Sequence, residues 1–121
     1  MGLKHRTFLG PPTKLVDAAK AVMGEIDFDP FSTQDLNRMV GAARIIDRDQ
    51  HDLDSVVAMD WELPGDKRAL VGAPHGSMWT RRLANKTLRE YRKGNVEQAV
   101  IWIANNETIT KIPWAWDFPV C

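Results

Sequence analysis

Acidic residues cluster in Ile26-Asp27-Phe28-Asp29-Pro30-Phe31-Ser32, with Asn37 a little further on. A strand that turns into a helix here presents free backbone N–H groups and the positive end of a helix dipole to a polar ligand. The Asp27 and Asp29 carboxylates can accept hydrogen bonds from an amino or hydroxyl group. The glycine spacing of nucleotide-binding turns is missing, so backbone could not approach a phosphate closely. A plainer reading makes Asp29 a helix-start residue and Pro30 punctuation. Asp47 and Asp49 follow a second apolar run, Arg44-Ile45-Ile46, where doubly wound folds often place a carboxylate on ribose hydroxyls. Solvated loop acids are the alternative there.

The second chemistry-bearing stretch is Val71-Gly72-Ala73-Pro74-His75-Gly76-Ser77, which follows Ala69-Leu70 and opens a long helical pattern. That is the carboxyl end of a strand, where open α/β sheets bind ligands. His75 could stack on a flat ligand, and its charge changes near neutral pH. A glycine-rich turn with no ligand is the other reading. The helix that follows, from Ser77 to Gly94, carries Arg81, Arg82, Lys86, Arg89, Arg92 and Lys93 against Glu90 alone. At helical spacing Arg82, Lys86, Arg89 and Lys93 form one stripe. Such a stripe could track a phosphate backbone, meet an acidic protein, or simply be solvated. Near the end, Trp114, Trp116 and Phe118 alternate with Pro113, Ala115 and Pro119 and would share one side of an extended segment. They would either pack on the sheet or form a partner-binding edge.

The elements that must position these residues can be read from periodicity and punctuation. Leu15, Val16, Ala19, Val22 and Met23 fall on one face of a helix over 13–23, with Pro12 at its first position and Gly24 as its cap. Glu25 to Asp29 alternates like a strand that Pro30 ends. Ser32 or Thr33 caps a helix through Val40, closed by Gly41. Further elements are a short helix over 53–59, a strand over 68–71, and the long helix with Met78, Leu83, Ala84, Leu88 and Tyr91 on its buried side. Gln98 to Ala104 is nearly continuous in apolar residues, as a buried central strand would be. Strands alternating with helices predict an α/β fold with a parallel, doubly wound sheet. No repeat, low-complexity tract or linker interrupts it, so a single domain over 1–121 is expected.

Bulk properties narrow the function classes. The 121 residues are 44% hydrophobic and 26% charged, the balance of an ordinary globular protein. Sixteen basic and sixteen acidic side chains cancel, so attraction to nucleic acid or membrane would have to be local. The single Cys121 has no internal disulfide partner, which suits a reducing cytoplasm. His5, His51 and His75 are scattered and no metal is expected. Neither a signal-peptide core nor a run of eighteen apolar residues occurs, so no membrane role is expected.

In order and spacing these segments resemble the phage-type DNA N6-adenine methyltransferases, over Gly10 to Asn37 and Asp52 to Asn105. The resemblance implies a small Rossmann-like sheet, truncated at the C-terminus where related domains continue past a segment like Asn105-Asn106-Glu107-Thr108. It implies an S-adenosylmethionine pocket formed by Asp27, Asp29, Pro30, Ser32, Asn37 and Asp47, and a Trp61 before the catalytic strand; Asp60 could reach the adenine end of the cofactor, but a structural Trp with a solvated neighbour is the favoured reading of that pair. It also aligns Gly72, Ala73, Pro74 and His75 with the family's Asn-Pro-Pro-Tyr loop. Adenine N6 is a poor nucleophile, so that loop holds the amino group between a side-chain and a main-chain carbonyl, and its aromatic ring stacks on the flipped base. Gly72 has no carbonyl to give, and His75 replaces the Tyr. The expectation is therefore a phage or prophage protein in the bacterial cytoplasm, catalytically impaired and acting by binding. Its partner would be DNA or a host or phage protein complex, with inhibition of CRISPR or restriction machinery as the leading case. An active adenine methyltransferase, whose pocket a homodimer could complete in trans, and a non-catalytic DNA-binding subunit are the alternatives.

Overall fold

The computed structural model describes residues 12–72, 77–103 and 110–119. Helices α1 (Thr13–Met23), α2 (Gln34–Val40), α3 (Leu53–Ala58) and α4 (Ser77–Lys93) alternate with strands β1 (Phe28–Ser32), β2 (Arg44–Asp47), β3 (Arg68–Gly72) and β4 (Gln98–Trp102). A 3-10 turn, Pro113–Asp117, follows. The four strands form one all-parallel sheet in the order β2-β1-β3-β4. Such a sheet is compatible with a Rossmann-like architecture, and its order reverses between β1 and β3.

The local reasons are mostly those that the sequence offers. Thr33 caps α2 by accepting from the Leu36 N–H at 3.1 Å, and Asp52 caps α3 through the Ser55 N–H at 2.8 Å. Gly41 ends α2 in the left-handed region, φ 71°, where a side chain would be strained. Pro12 takes the cap position of α1, one residue earlier than expected.

Two apolar clusters lie on the two faces of the sheet. Val16, Ala19 and Met23 of α1 and Val40 of α2 meet Ile26, Ala42 and Leu70 in one cluster. Leu53 and Val56 of α3 and Leu83 of α4 meet Phe28, Phe31, Trp61 and Val71 in the other. Ala69 and Val71 go to the second cluster and Leu70 to the first, which is the alternation of a strand covered on both faces.

Strand β1 departs from expectation. It starts at Phe28 rather than Glu25 and runs through Pro30 instead of stopping there. Its pairing with β2 shifts register between Asp29 and Ser32. In a regular strand Phe28 and Phe31, three residues apart, would face opposite ways. The irregularity turns Phe31 back onto the Phe28 side, so both enter one cluster. Proline is tolerated at such a point because no ladder donor is required of it. Strand β4 also differs: it pairs with β3 alone among the described strands and is half-buried, an edge rather than a centre.

Candidate functional site

The point where strand order reverses lies outside the carboxyl ends of β1 and β3, the place where open sheets hold ligands. From β1 it receives Asp29, Pro30 and Ser32, and from the end of the neighbouring β2 Asp47 and Arg48. Asp29, Pro30 and Ser32 are all buried. Asp29 Oδ1 accepts the Phe31 N–H at 3.1 Å, satisfying a backbone donor that the register shift takes out of the ladder. Burial pushes the Asp29 carboxyl up to about 7, with the Phe31 amide, the charge of Arg48 and the Ser32 hydroxyl pulling it part of the way back. Arg48 is half-buried with its guanidinium 5.6 Å from the Phe31 ring centre. Nothing in the sequence marks it among its acidic neighbours. Asp47 turns its Oδ1 to its own loop, accepting the Asp49 N–H at 2.8 Å.

Two expected cofactor residues are elsewhere. Asp27 precedes β1 and so sits at the amino end of the sheet, opposite the crevice. Its carboxylate is taken by Arg68, with Nε at 2.8 Å and the backbone N–H at 3.0 Å. The Arg68 side-chain hydrogen bond is the main cause holding the Asp27 carboxyl below its ordinary value. Asn37 is committed at both ends of its amide to Ala42: Nδ2 donates to the carbonyl at 2.9 Å and Oδ1 accepts the N–H at 2.8 Å. It fastens the turn from α2 into β2.

At the end of β3, Gly72 pairs in register with Trp102 of β4. A Cβ built on Gly72 would overlap the indole ring of Trp102. The glycine is therefore a packing requirement, and the space its side chain would fill belongs to that ring. Ala73, Pro74 and His75 lie outside the described residues, as do Asn105 to Thr108.

The basic stripe on α4 is not a free cationic face: one of its four cations is buried and three are paired with carboxylates. Lys86 is 3% exposed, its Nζ 3.2 Å from Oε2 of Glu90, which has no exposed surface at all. Lys93 Nζ also reaches Glu90 Oε2 at 3.2 Å, as well as Asp60 Oδ1 at 3.3 Å. Arg82 pairs with Asp54. Only Arg89 of the four lies open to solvent without a carboxylate partner among the described residues. Glu90 Oε1 in turn accepts the Trp61 N–H at 2.9 Å and Asn95 Nδ2 at 3.1 Å. Burial alone would raise the Glu90 carboxyl, yet these four donors together hold it below its ordinary value. Trp61 is a core residue, its Nε1 donating to the Val56 carbonyl at 3.2 Å. Asp60 is its exposed neighbour, paired with Lys93 rather than aimed at the crevice.

The aromatic tail is also reshaped. Pro113–Asp117 is a 3-10 turn and not an extended strand, so Trp114 and Trp116 do not share a side. Trp114 is half-buried, its Nε1 donating to Asn85 Oδ1 of α4 at 2.8 Å. Trp116 stands 63% exposed. Met78 and Tyr91, expected on the buried side of α4, are 53% and 46% exposed. Among the described residues no group of three or more His, Cys, Asp or Glu is arranged to hold a metal ion. No helix among them is long and apolar enough to cross a membrane. Comparison with protein-family models, curated proteins and solved structures finds no match to this chain.

Proposed function

We propose that this chain is a methyltransferase-like α/β domain that acts by binding and does not transfer a methyl group. The observation that carries this reading is the Trp102 ring over Gly72. A transferase acting on an exocyclic amino group needs a positioned carbonyl at the end of this strand. Here the residue has no side chain, and the neighbouring indole occupies the volume in which one would extend. Loss of one such positioned group costs about two to three orders of magnitude in rate.

The cofactor half of the crevice fits S-adenosylmethionine in part. Asp29, Ser32 and Asp47 would hold its polar groups, and a buried carboxyl poised near neutrality suits a ligand ammonium. When bound, that cofactor supplies an electrophilic methyl group. Asp27 and Asn37, held by Arg68 and Ala42, leave the pocket with fewer ligands than the sequence led one to expect. In a phage setting, a domain of this kind would serve to obstruct host nuclease machinery.

Calorimetric titration with S-adenosylmethionine and its demethylated product, followed by transfer of labelled methyl to adenine-containing DNA, tests the reading. Weak or absent cofactor binding with no methylated adenine is the expected result. Methylated adenine in the product would overturn it, and the protein would then be an adenine methyltransferase with an unusual loop.

A further inference from the structure

Sorting the cations of α4 by their partners uncovers a face that the spacing pattern hid. Arg82, Lys86 and Lys93 are held by Asp54, Glu90 and Asp60. Arg81, Arg89 and Arg92 have no carboxylate partner among the described residues, and Arg89 and Arg92 are exposed. At 3.6 residues per turn these three point within about 40° of the direction of Asn85. Asn85 is the residue on which the aromatic turn is fastened, through the Trp114 indole N–H. Phe118 then meets both Trp114 and Tyr91 edge to face, with ring centres 5.9 and 6.0 Å apart. Trp116, Tyr91 and Phe118 leave 63%, 46% and 42% of their surface in solvent. The exposed Trp116 is therefore carried by a turn fastened on the side of α4 that the three arginines share, while Tyr91 lies about 120° further round the helix.

We propose that this face binds single-stranded nucleic acid. Arg81, Arg89 and Arg92 neutralise phosphates, while Trp116 and its aromatic neighbours stack on unpaired bases. Charge complementarity identifies the occupant as a polyanion, because the carboxylates that pair with α4 are spent on its other cations. The exposed rings favour bases over an acidic peptide, which would use the charges and leave the rings wet. A duplex hides its base faces and gives Trp116 nothing to stack on. The proposal gives the binding reading above a ligand class, but it does not depend on the state of the catalytic loop.

The test is fluorescence anisotropy of a labelled fifteen-nucleotide oligo-dT with the full chain. This probe contains no adenine, so its binding is independent of methyl transfer. Saturable binding is expected, and log K against log salt should have a slope of about −2 for three neutralised phosphates. Arg81→Gln/Arg89→Gln/Arg92→Gln should flatten that slope, and Trp116→Ala should weaken binding on the order of tenfold. Lys14→Gln, exposed on α1, should change neither, and circular dichroism should show all variants folded. Absence of binding at low salt overturns the proposal, as does binding that folded variants of both kinds leave intact. Equal competition by poly-glutamate together with indifference to Trp116→Ala would also overturn it, in favour of an acidic protein. Detection of methylated adenine in the earlier assay would refute the binding-only reading and leave this one standing.

Discussion

Replacing Glu90 by Gln removes one charge from the most buried ionic cluster of the protein while keeping its shape. The Gln Oε1 can still accept from the Trp61 N–H and Asn95, now at 2.9 and 3.1 Å. The new amide –NH2, however, faces Nζ of Lys86 and Lys93, both at 3.2 Å. Lys93 is half in solvent and retains Asp60, so it relaxes at little cost. Lys86 cannot: its side chain is 4% exposed and lies over the Trp61 ring at 5.7 Å. Stranding one member of a buried pair costs about 3–5 kcal/mol. In a domain of this size that lowers Tm by roughly 12–20 °C. Urea and thermal unfolding of the Glu90→Gln variant measure it directly. Lys86→Met in the same background should restore most of the loss, since removing both charges is nearly neutral. The sign with pH follows from the depressed Glu90 carboxyl. Its contribution is complete above the ordinary value of 4.5 and is lost as pH falls through the lower folded value, so the variant should lack that acid limb. A loss under about 1 kcal/mol, without recovery in the double variant, would mean that water reaches Lys86 and that the burial argument is wrong.

Two further outcomes concern the crevice. The Asp29 carboxyl, raised from 3.8 to about 7, takes up a proton on folding, so it lowers stability as pH rises between those values. Asp29→Asn should therefore leave stability at pH 3 unchanged and increase it at pH 8 by up to about 4 kcal/mol, with the Asn oxygen still accepting from Phe31; a gain that does not vary with pH would refute this assignment. Gly72→Ala should destabilise by about 1–3 kcal/mol because its methyl meets the Trp102 ring. Trp102→Ala beside it should recover part of that loss, and additivity of the two changes in denaturant melts would refute the overlap.

Much of the architecture is legible locally, because apolar periodicity, capping residues and glycine act over a few positions. The helix over Thr13–Met23, the Thr33 cap, the Gly41 stop and the parallel α/β order all follow from neighbours in the chain. Strand β1 was misplaced because a Pro normally ends a strand, whereas a register shift supported by Asp29 admits one. The site residues divide along the same line. Asp29 and Ser32 reach the crevice through the strand that carries them. Asp27 does not, because its partner Arg68 is forty-one residues away and no local pattern couples the two.

The stripe on α4 shows the limit most clearly. Helical spacing puts Arg82, Lys86 and Lys93 on one side, but spacing cannot tell whether that side meets water or another element. The loop bearing Trp61 packs there, so Glu90 becomes the hub of a buried cluster, and of the stripe only Arg89, at its solvent edge, is left without a carboxylate among the described residues. Likewise the sequence shows a glycine at the end of β3, but only the pairing of β3 with β4 sets a tryptophan against it. Sequence fixes what each residue can do alone, since propensity and charge are local. Which charges stay in solvent, and which volumes are filled, is decided by contacts between distant segments, and those exist only once the chain has folded.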